Sequence, residues 1–279
     1  YGWHEVIQYP FTSATELQAV GTDPRECVRI ANPLSANQLY LRRNLLPGML
    51  RTIRDNLRYQ KDVRIFTWSK VFRAARGTVT EERVLEFALS GGDDRRSWLE
   101  LRGTLDQLLD DLGIRGVTVV PAEPKPYAAL RVDLHVGTQR LGTLILVHPQ
   151  TRTTWKIKRS VVIGSLAHAA LFQHARPITR FVPLPTLPVV TRDVACWVPT
   201  DARYEVLAHG IAASVHGALS QVDTTVTFLD EYVGNGRRSI AFRLTFVPLR
   251  RTLQAHDVDQ VMERVSRTLQ DQFHASIRS

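Results

Sequence analysis

Residues 32–60 read NPLSANQLYLRRNLLPGMLRTIRDNLRYQ. An Asn-Pro pair closes what precedes it, and apolar residues then recur at helical spacing over 36–59, interleaved with arginines. The spacing predicts one long, arginine-rich helix. Pro47-Gly48 falls in its middle, where proline lacks the N–H the helix needs and glycine costs about 1 kcal/mol relative to alanine. Such a helix is neither a plain core element nor a loop. Leu41, Leu45, Leu46, Met49, Leu50 and Ile53 supply its apolar contacts, with Arg42, Arg43, Arg51 and Arg54 beside them.

Around this stretch the pattern is mixed. ELQAV (16–20) reads as a short helix and ECVRIAN (26–32) as a short strand. DVRIFTWSKVFRA (62–74) and VLEFALSG (84–91) alternate as strands. SWLELRGTLDQLLDDLG (97–113) places Leu101, Leu105, Leu108, Leu109 and Leu112 on one helical face and stops at Gly113. Strands follow near GVTVV, ALRVDLHVG, RLGTLILVH and TTWKIKRSVVIGS. Strands outnumber helices and the connections are short. The expectation is an α+β fold with a largely antiparallel sheet and helices on one face.

A seam falls at ARPITRFVPLPTLPVV (175–190), where four prolines within twelve residues describe a stiff, extended linker. It divides the chain into a first domain at 1–177 and a second at 178–279. The second reads strand (RDVACWVP), helix (YEVLAHGIAASVHG), a hairpin pivoting on Asn235-Gly236, and a helix with Val258, Val261, Met262, Val265, Leu269 and Phe273 on one face. With Ser276–Arg278 as a candidate last strand, this is the ferredoxin-like order, which leaves one sheet face open.

The 279 residues carry a net charge of +9, unevenly: residues 1–177 hold 25 Lys and Arg against 17 Asp and Glu, and residues 178–279 hold 11 against 10. Excess arginine suits phosphate or carboxylate, and nucleic acid leads the candidates. A solvated, arginine-biased surface would give the same numbers. No apolar run approaches the roughly 18–20 residues that span a bilayer. Cys27 and Cys196 are too few for a metal or disulfide framework, so a reducing cytoplasm is the expected setting. A chain opening on Tyr1 in structured sequence reads as part of something longer.

Four patches carry a family likeness: YGWHEVIQYPFT (1–12), NPLSANQLYLRRNLLPGMLRTIRDN (32–56), LPVVTRDVACWVP (187–199) and RRSIAFRLTFVPLRRTL (237–253). In this order they resemble the C-terminal half of the β subunit of bacterial phenylalanine–tRNA ligase. The second and fourth are the specific ones. The chain departs from the family where it reads IFTWSKVF and KPYAALRV, and at Gln254, where the family tends to place a Thr or Ser helix cap worth about 1 kcal/mol.

The resemblance implies a class II synthetase-like antiparallel sheet with helices that has lost its catalytic residues, followed by a ferredoxin-like anticodon-binding domain. The first domain would scaffold the catalytic α subunit, and the arginine-rich helix would dock it through Arg42, Arg43, Leu46, Met49, Leu50 and Arg54. The same residues also suit a kinked helix of the domain's own core. ATP and Mg2+ are expected at the α subunit and at β-subunit regions upstream of this chain, with none bound here. The implied partners are the α subunit and tRNA(Phe), assembled as two α and two β subunits, with no membrane.

The residues themselves offer no catalytic or metal assignment. P-loop, nucleophile-elbow, zinc and dinucleotide spacings are absent, and the nine histidines are scattered. On the second domain's sheet, Ile240, Phe242, Leu244 and Phe246 should face inward with Val194, Cys196 and Val198, turning Trp197 and Arg243 to the open side. An outward Trp near an outward Arg is a base-stacking platform, and Arg237, Arg238, Arg250 and Arg251 are candidate phosphate contacts. Trp197 packing under a loop is the competing reading. For the chain as a whole, the alternative is a stand-alone β-subunit paralogue acting as an RNA-binding or regulatory module without ligase activity. An independent enzyme ranks last.

Overall fold

The computed structural model describes residues 2–75, 78–176, 184–216, 222–234 and 237–278. Two compact units result, Tyr1–Arg180 and Phe181–Ser279. The central part of the proline-rich seam and the Asn235-Gly236 turn lie outside the described residues.

The first unit contains β1 (His4–Glu5), β2 (Phe11–Thr12), α1 (Ala14–Ala19), β3 (Tyr40–Leu41), α2 (Leu46–Asn56), β4 (Val63–Ala75), β5 (Thr78–Gly91), α3 (Asp94–Asp111), β6 (Val117–Pro121), β7 (Ala128–Val136), β8 (Gln139–Val147), α4 (Pro149–Thr154), β9 (Ser160–Ala167) and α5 (His168–His174). Seven strands form one sheet in the order β1-β4-β5-β9-β8-β7-β6, and only the β1–β4 pair is parallel. Alternation along the central strands feeds two apolar layers. Ile65, Ala88, Ile145 and Ile163 pack with α2, and Phe87, Val132, Leu144 and Val162 pack with α3 and α5. Helices therefore cover both faces, not the one face that strand counting predicts.

The predicted helix over 36–59 is a correction. Residues 36–38 form a 3-10 turn, Tyr40–Leu41 pair with Phe11–Thr12, and α2 begins only at Leu46. The start is set by Pro47: in the first turn its missing N–H has no helical partner to lose and its fixed φ suits the helix. Gly48 has a different reason, since a Cβ there would collide with the Gln8 side chain. Gln8 lies across the helix and donates from Nε2 to Thr52 Oγ1 at 3.0 Å. Proline and glycine thus start the helix and admit a crossing segment; they do not break it.

Two further readings change. The predicted strand at 26–32 reduces to a single bridge between Arg29 and Tyr40. The predicted strand at 153–165 begins at Ser160, because Pro149 starts α4 and the His148 ring accepts the Gln150 N–H at 3.2 Å.

The second unit contains β10 (Val190–Val198), α6 (Tyr204–His216), β11 (Val222–Gly234), β12 (Arg237–Pro248), α7 (Ala255–Phe273) and β13 (Ser276–Arg278), with strand order β11-β12-β10-β13. Ile240, Phe242, Leu244 and Phe246 are fully buried and meet Val194, Cys196 and Val198 beneath the two helices, as alternation predicts. The helix start at Gln254 is supported from the other side. Asp257 Oδ2 accepts the Gln254 backbone N–H at 2.9 Å, and Arg251 grips the same carboxylate through Nη1 and Nη2 at 2.8 and 2.9 Å. These contacts hold the Asp257 carboxyl well below the usual range, the Arg251 bond contributing most.

Candidate nucleic-acid interface and the polar row of the first sheet

The open face of the second unit's sheet is built by register. Trp197 on β10 stands opposite Ser239 on β12, and Ser239 opposite Tyr232 on β11. The two rings meet edge to face with centroids 6.1 Å apart, and Ser239 beneath them is buried. Arg278 on β13 lies over the Trp197 ring, its guanidinium carbon 5.7 Å from the centroid. The next row is a floor of small side chains, Ala195 opposite Ala241. Beyond it Arg243 donates two 2.8 Å hydrogen bonds to Asp193. The result is an aromatic pair, a floor of two alanines beside it, and guanidinium groups at its margins. A planar base fits such a site by stacking.

Of the six candidate RNA contacts, Trp197, Arg237 and Arg243 share this face. Arg238 does not. It has the parity of Ile240 and faces the helices, where Nε donates to Glu231 Oε1 at 2.6 Å and Nη1 reaches the Ala202 carbonyl. Arg251 is held by Asp257. Arg250 is exposed but follows the far end of β12, roughly 36 Å along the strand from Arg237. Tyr232 and Arg278 also stand on this face, beside Trp197, and neither is among the candidates that the sequence offers. Strict alternation from inward Phe228 would turn Tyr232 inward as well, but a β-bulge between Phe228 and Asp230 inverts the parity. Arg278 carries no local signal; only the β10–β13 pairing brings it to Trp197.

The candidate docking residues on the arginine-rich stretch are mostly occupied within the first unit. Leu46, Met49 and Leu50 are buried in the layer between α2 and the sheet. Arg42 is 8% exposed and donates from Nε to the Lys70 carbonyl at 2.8 Å and from Nη1 to the Gln8 and Tyr9 carbonyls at 3.3 Å. These four side chains form the core and its bracing rather than an exposed contact. Arg43 and Arg54 remain partly exposed, paired with Glu26 and Asp55.

On the face of the first sheet that meets α2, one row of polar side chains crosses five strands: Thr67, Glu86, Ser165, Thr143 and Asp133. Glu86 is 3% exposed; its Oε2 accepts the Ser165 hydroxyl at 2.5 Å, and its Oε1 has no partner among the described residues. Burial pushes its pKa up to about 7, against the opposing pull of the Ser165 bond and the Arg42 charge. Asp133 accepts from Thr143 at 2.7 Å and pairs with Arg131 and Arg140. The row offers no free guanidinium to hold a triphosphate, because Arg42 is committed to carbonyls and Arg131 and Arg140 to Asp133. Among the described residues, no three His, Cys, Asp or Glu side chains come together as a metal site. No described helix is long and apolar enough to cross a membrane.

The crystal structure of pyrrolysyl-tRNA synthetase from Desulfitobacterium hafniense matches the fold with a TM-score of 0.53 at 18% identity, covering 62% of this chain and 63% of that one. Over that part the two chains share a fold. Residues 1–167 match the phenylalanyl tRNA synthetase beta chain CLM domain, and residues 185–278 match the ferredoxin-fold anticodon binding domain. The chain belongs to the phenylalanyl-tRNA synthetase beta chain family. Among its relatives, the phenylalanine–tRNA ligase beta subunit of Methylococcus capsulatus is 32% identical over 292 residues, covering 99% of this chain and 36% of the relative. That of Symbiobacterium thermophilum is 31% identical over 261 residues, covering 88% and 29%. The chain thus spans about a third of the length of the curated relatives it matches.

Proposed function

We propose that this chain is a non-catalytic portion of the phenylalanine–tRNA ligase β subunit, which scaffolds the catalytic α subunit and binds the anticodon region of tRNA(Phe) during ATP-dependent charging. The observation that carries the reading is the open face of the second unit's sheet, where Trp197, Tyr232 and Arg278 stand beside the Ala195–Ala241 floor. In this reading ATP, magnesium and phenylalanine go to the α subunit and to other parts of the β subunit. An assembly of two α and two β subunits and a cytoplasmic location accompany it.

Trp197→Ala removes the stacking surface and one ring of the pair. Stacked bases contribute about 1–3 kcal/mol each, so tRNA(Phe) transcript binding, read by fluorescence anisotropy, should weaken by roughly 5- to 150-fold. Unchanged binding by a folded variant would move the RNA off this face. The scaffold half is tested by co-expression with the α subunit of the same organism and size-exclusion chromatography with mass determination. Arg43→Glu with Arg54→Glu should weaken co-elution, since both groups are accessible at the ends of the buried stripe. Separate elution of wild-type chain and folded α subunit, with the rest of the β subunit also supplied, would exclude the scaffold role.

A further inference from the structure

The start of β4, the end of β5 and the start of β9 lie side by side, as the pairs Val63↔Ser90 and Gly91↔Ser160 fix, and β8 ends next to β9. The connections before β4, after β5 and after β8 therefore leave the sheet at the same end. Residues 54–64, 91–100 and 148–160, which make up that end, hold ten Lys and Arg against five Asp and Glu. We propose that this end of the first unit is a second RNA surface, binding the sugar-phosphate backbone. The proposal rests on RNA being the partner, as above, but uses a surface of its own.

Three observations support it. The acidic groups are already committed: Asp55 to Arg54, Asp62 to Arg159, Asp94 to Arg152 and Glu100 to Arg64, while Asp93 caps α3 by accepting the Arg96 N–H at 2.7 Å. Arg58, Lys61, Arg96, Lys156 and Lys158 make no ion pair among the described residues, so the surplus charge is unneutralised at the surface. The cations also line adjoining concavities of about 260, 480, 650 and 200 Å3, which share Lys156, then Arg152 and Lys158, then Arg159 as common walls. Neighbouring concavities edged by separate cations suit a strand of phosphates better than a single anion.

The third observation is backbone strain. Lys156 has φ +59°, the left-handed conformation that closes α4 and usually falls to glycine. Its N–H bonds Thr153 O at 2.9 Å and the next N–H bonds Arg152 O at 2.8 Å, with Trp155 and Ile157 buried on either side. The chain carries a lysine where a glycine would relieve strain, and it holds that lysine between two buried anchors. The fixed backbone holds this exposed cation at one place beside the concavities, although a left-handed cap also closes α7 at His274, φ +51°. Tyr59, 85% exposed beside Arg58 and close to Lys61, adds a ring on which an unpaired base can stack.

The test uses the 279-residue chain and a fluorescently labelled tRNA(Phe) transcript, titrated at several KCl concentrations, with circular dichroism confirming folding. Lys156→Glu with Lys158→Glu should weaken binding at least tenfold and reduce the slope of log K against log salt by about 1–2, the loss of roughly two phosphate contacts. Lys156→Gly should weaken RNA binding while raising the thermal midpoint, opposite movements that a purely structural lysine would not produce. Wild-type affinity and slope in the folded double variant would overturn the proposal. So would poly-L-glutamate competing as well as RNA of equal charge, which would assign the surface to an acidic protein. Trp197→Ala separates the two surfaces. If it alone weakens binding, the anticodon-face reading stands and this one falls; if only the lysine variant does, the reverse holds.

Discussion

Arg42→Ala is expected to destabilise the first unit by about 2–3 kcal/mol, the range for losing hydrogen bonds to a charged group and leaving buried carbonyls unpaired. The side chain is 8% exposed and is the donor to three main-chain carbonyls, those of Gln8, Tyr9 and Lys70. It ties the N-terminal segment to β4, and its own main chain adds to the brace: Arg42 N–H bonds Pro10 O and Arg42 O accepts from Phe72 N–H. Truncation to alanine strands the carbonyls and also leaves Glu86 without its nearest positive field, the Coulombic influence that favours the ionised carboxylate. Four of the five tryptophans, Trp3, Trp68, Trp98 and Trp155, belong to the first unit. Urea unfolding followed by tryptophan fluorescence in a Trp197→Phe background therefore reports this unit. A loss below about 1 kcal/mol would mean that water replaces the guanidinium, and that Arg42 is dispensable to the fold.

Glu86→Gln should stabilise the first unit at pH 8 by on the order of 3 kcal/mol and remove a pH dependence from it. The carboxyl titrates near 4.5 in the unfolded chain and near about 7 in the folded one, because burial disfavours its charge. Between those values the folded state holds a proton that the unfolded state lacks. Stability therefore falls as pH rises from about 4.5 to about 7 and stays low above it. Glutamine mimics the protonated group: it keeps an acceptor for the Ser165 hydroxyl and carries no charge. Unfolding midpoints of wild type and variant at pH 5, 6, 7 and 8 should coincide at the acid end and diverge toward pH 8. Parallel curves would place Glu86 in a wetter site than its 3% exposure describes.

How far the sequence can be read depends on the range of the interaction. Alternation within β10 and β12 sorts Val194, Cys196, Val198, Ile240, Phe242, Leu244 and Phe246 inward, and the structure buries all of them. The helical stripe of α3 and the left-handed stop at Gly113, φ +69°, are equally local, and both are found. The arginine-rich stretch misleads at this level, because apolar spacing continues through residues that are not helical. Nothing local says that Tyr40–Leu41 will pair with Phe11–Thr12, or that Pro47 will open a helix instead of interrupting one.

What the sequence by itself determines is the order of elements, the buried faces and the family likeness, since each rests on periodicity or on short runs of consecutive residues. Tertiary structure decides where the charges go. Arg42 is drawn inward by three carbonyls far from it in sequence, and Arg238 turns to the helices because strand parity puts it with Ile240. Tyr232 reaches the open face through one bulge, Arg278 through a strand pairing at the chain's far end, and Asp257 caps a helix that begins at a glutamine. The basic end of the first sheet gathers cations from connections separated by some 90 residues. A charged side chain is governed by whatever the fold brings within a few ångströms of it, and that proximity is a property of the packed molecule.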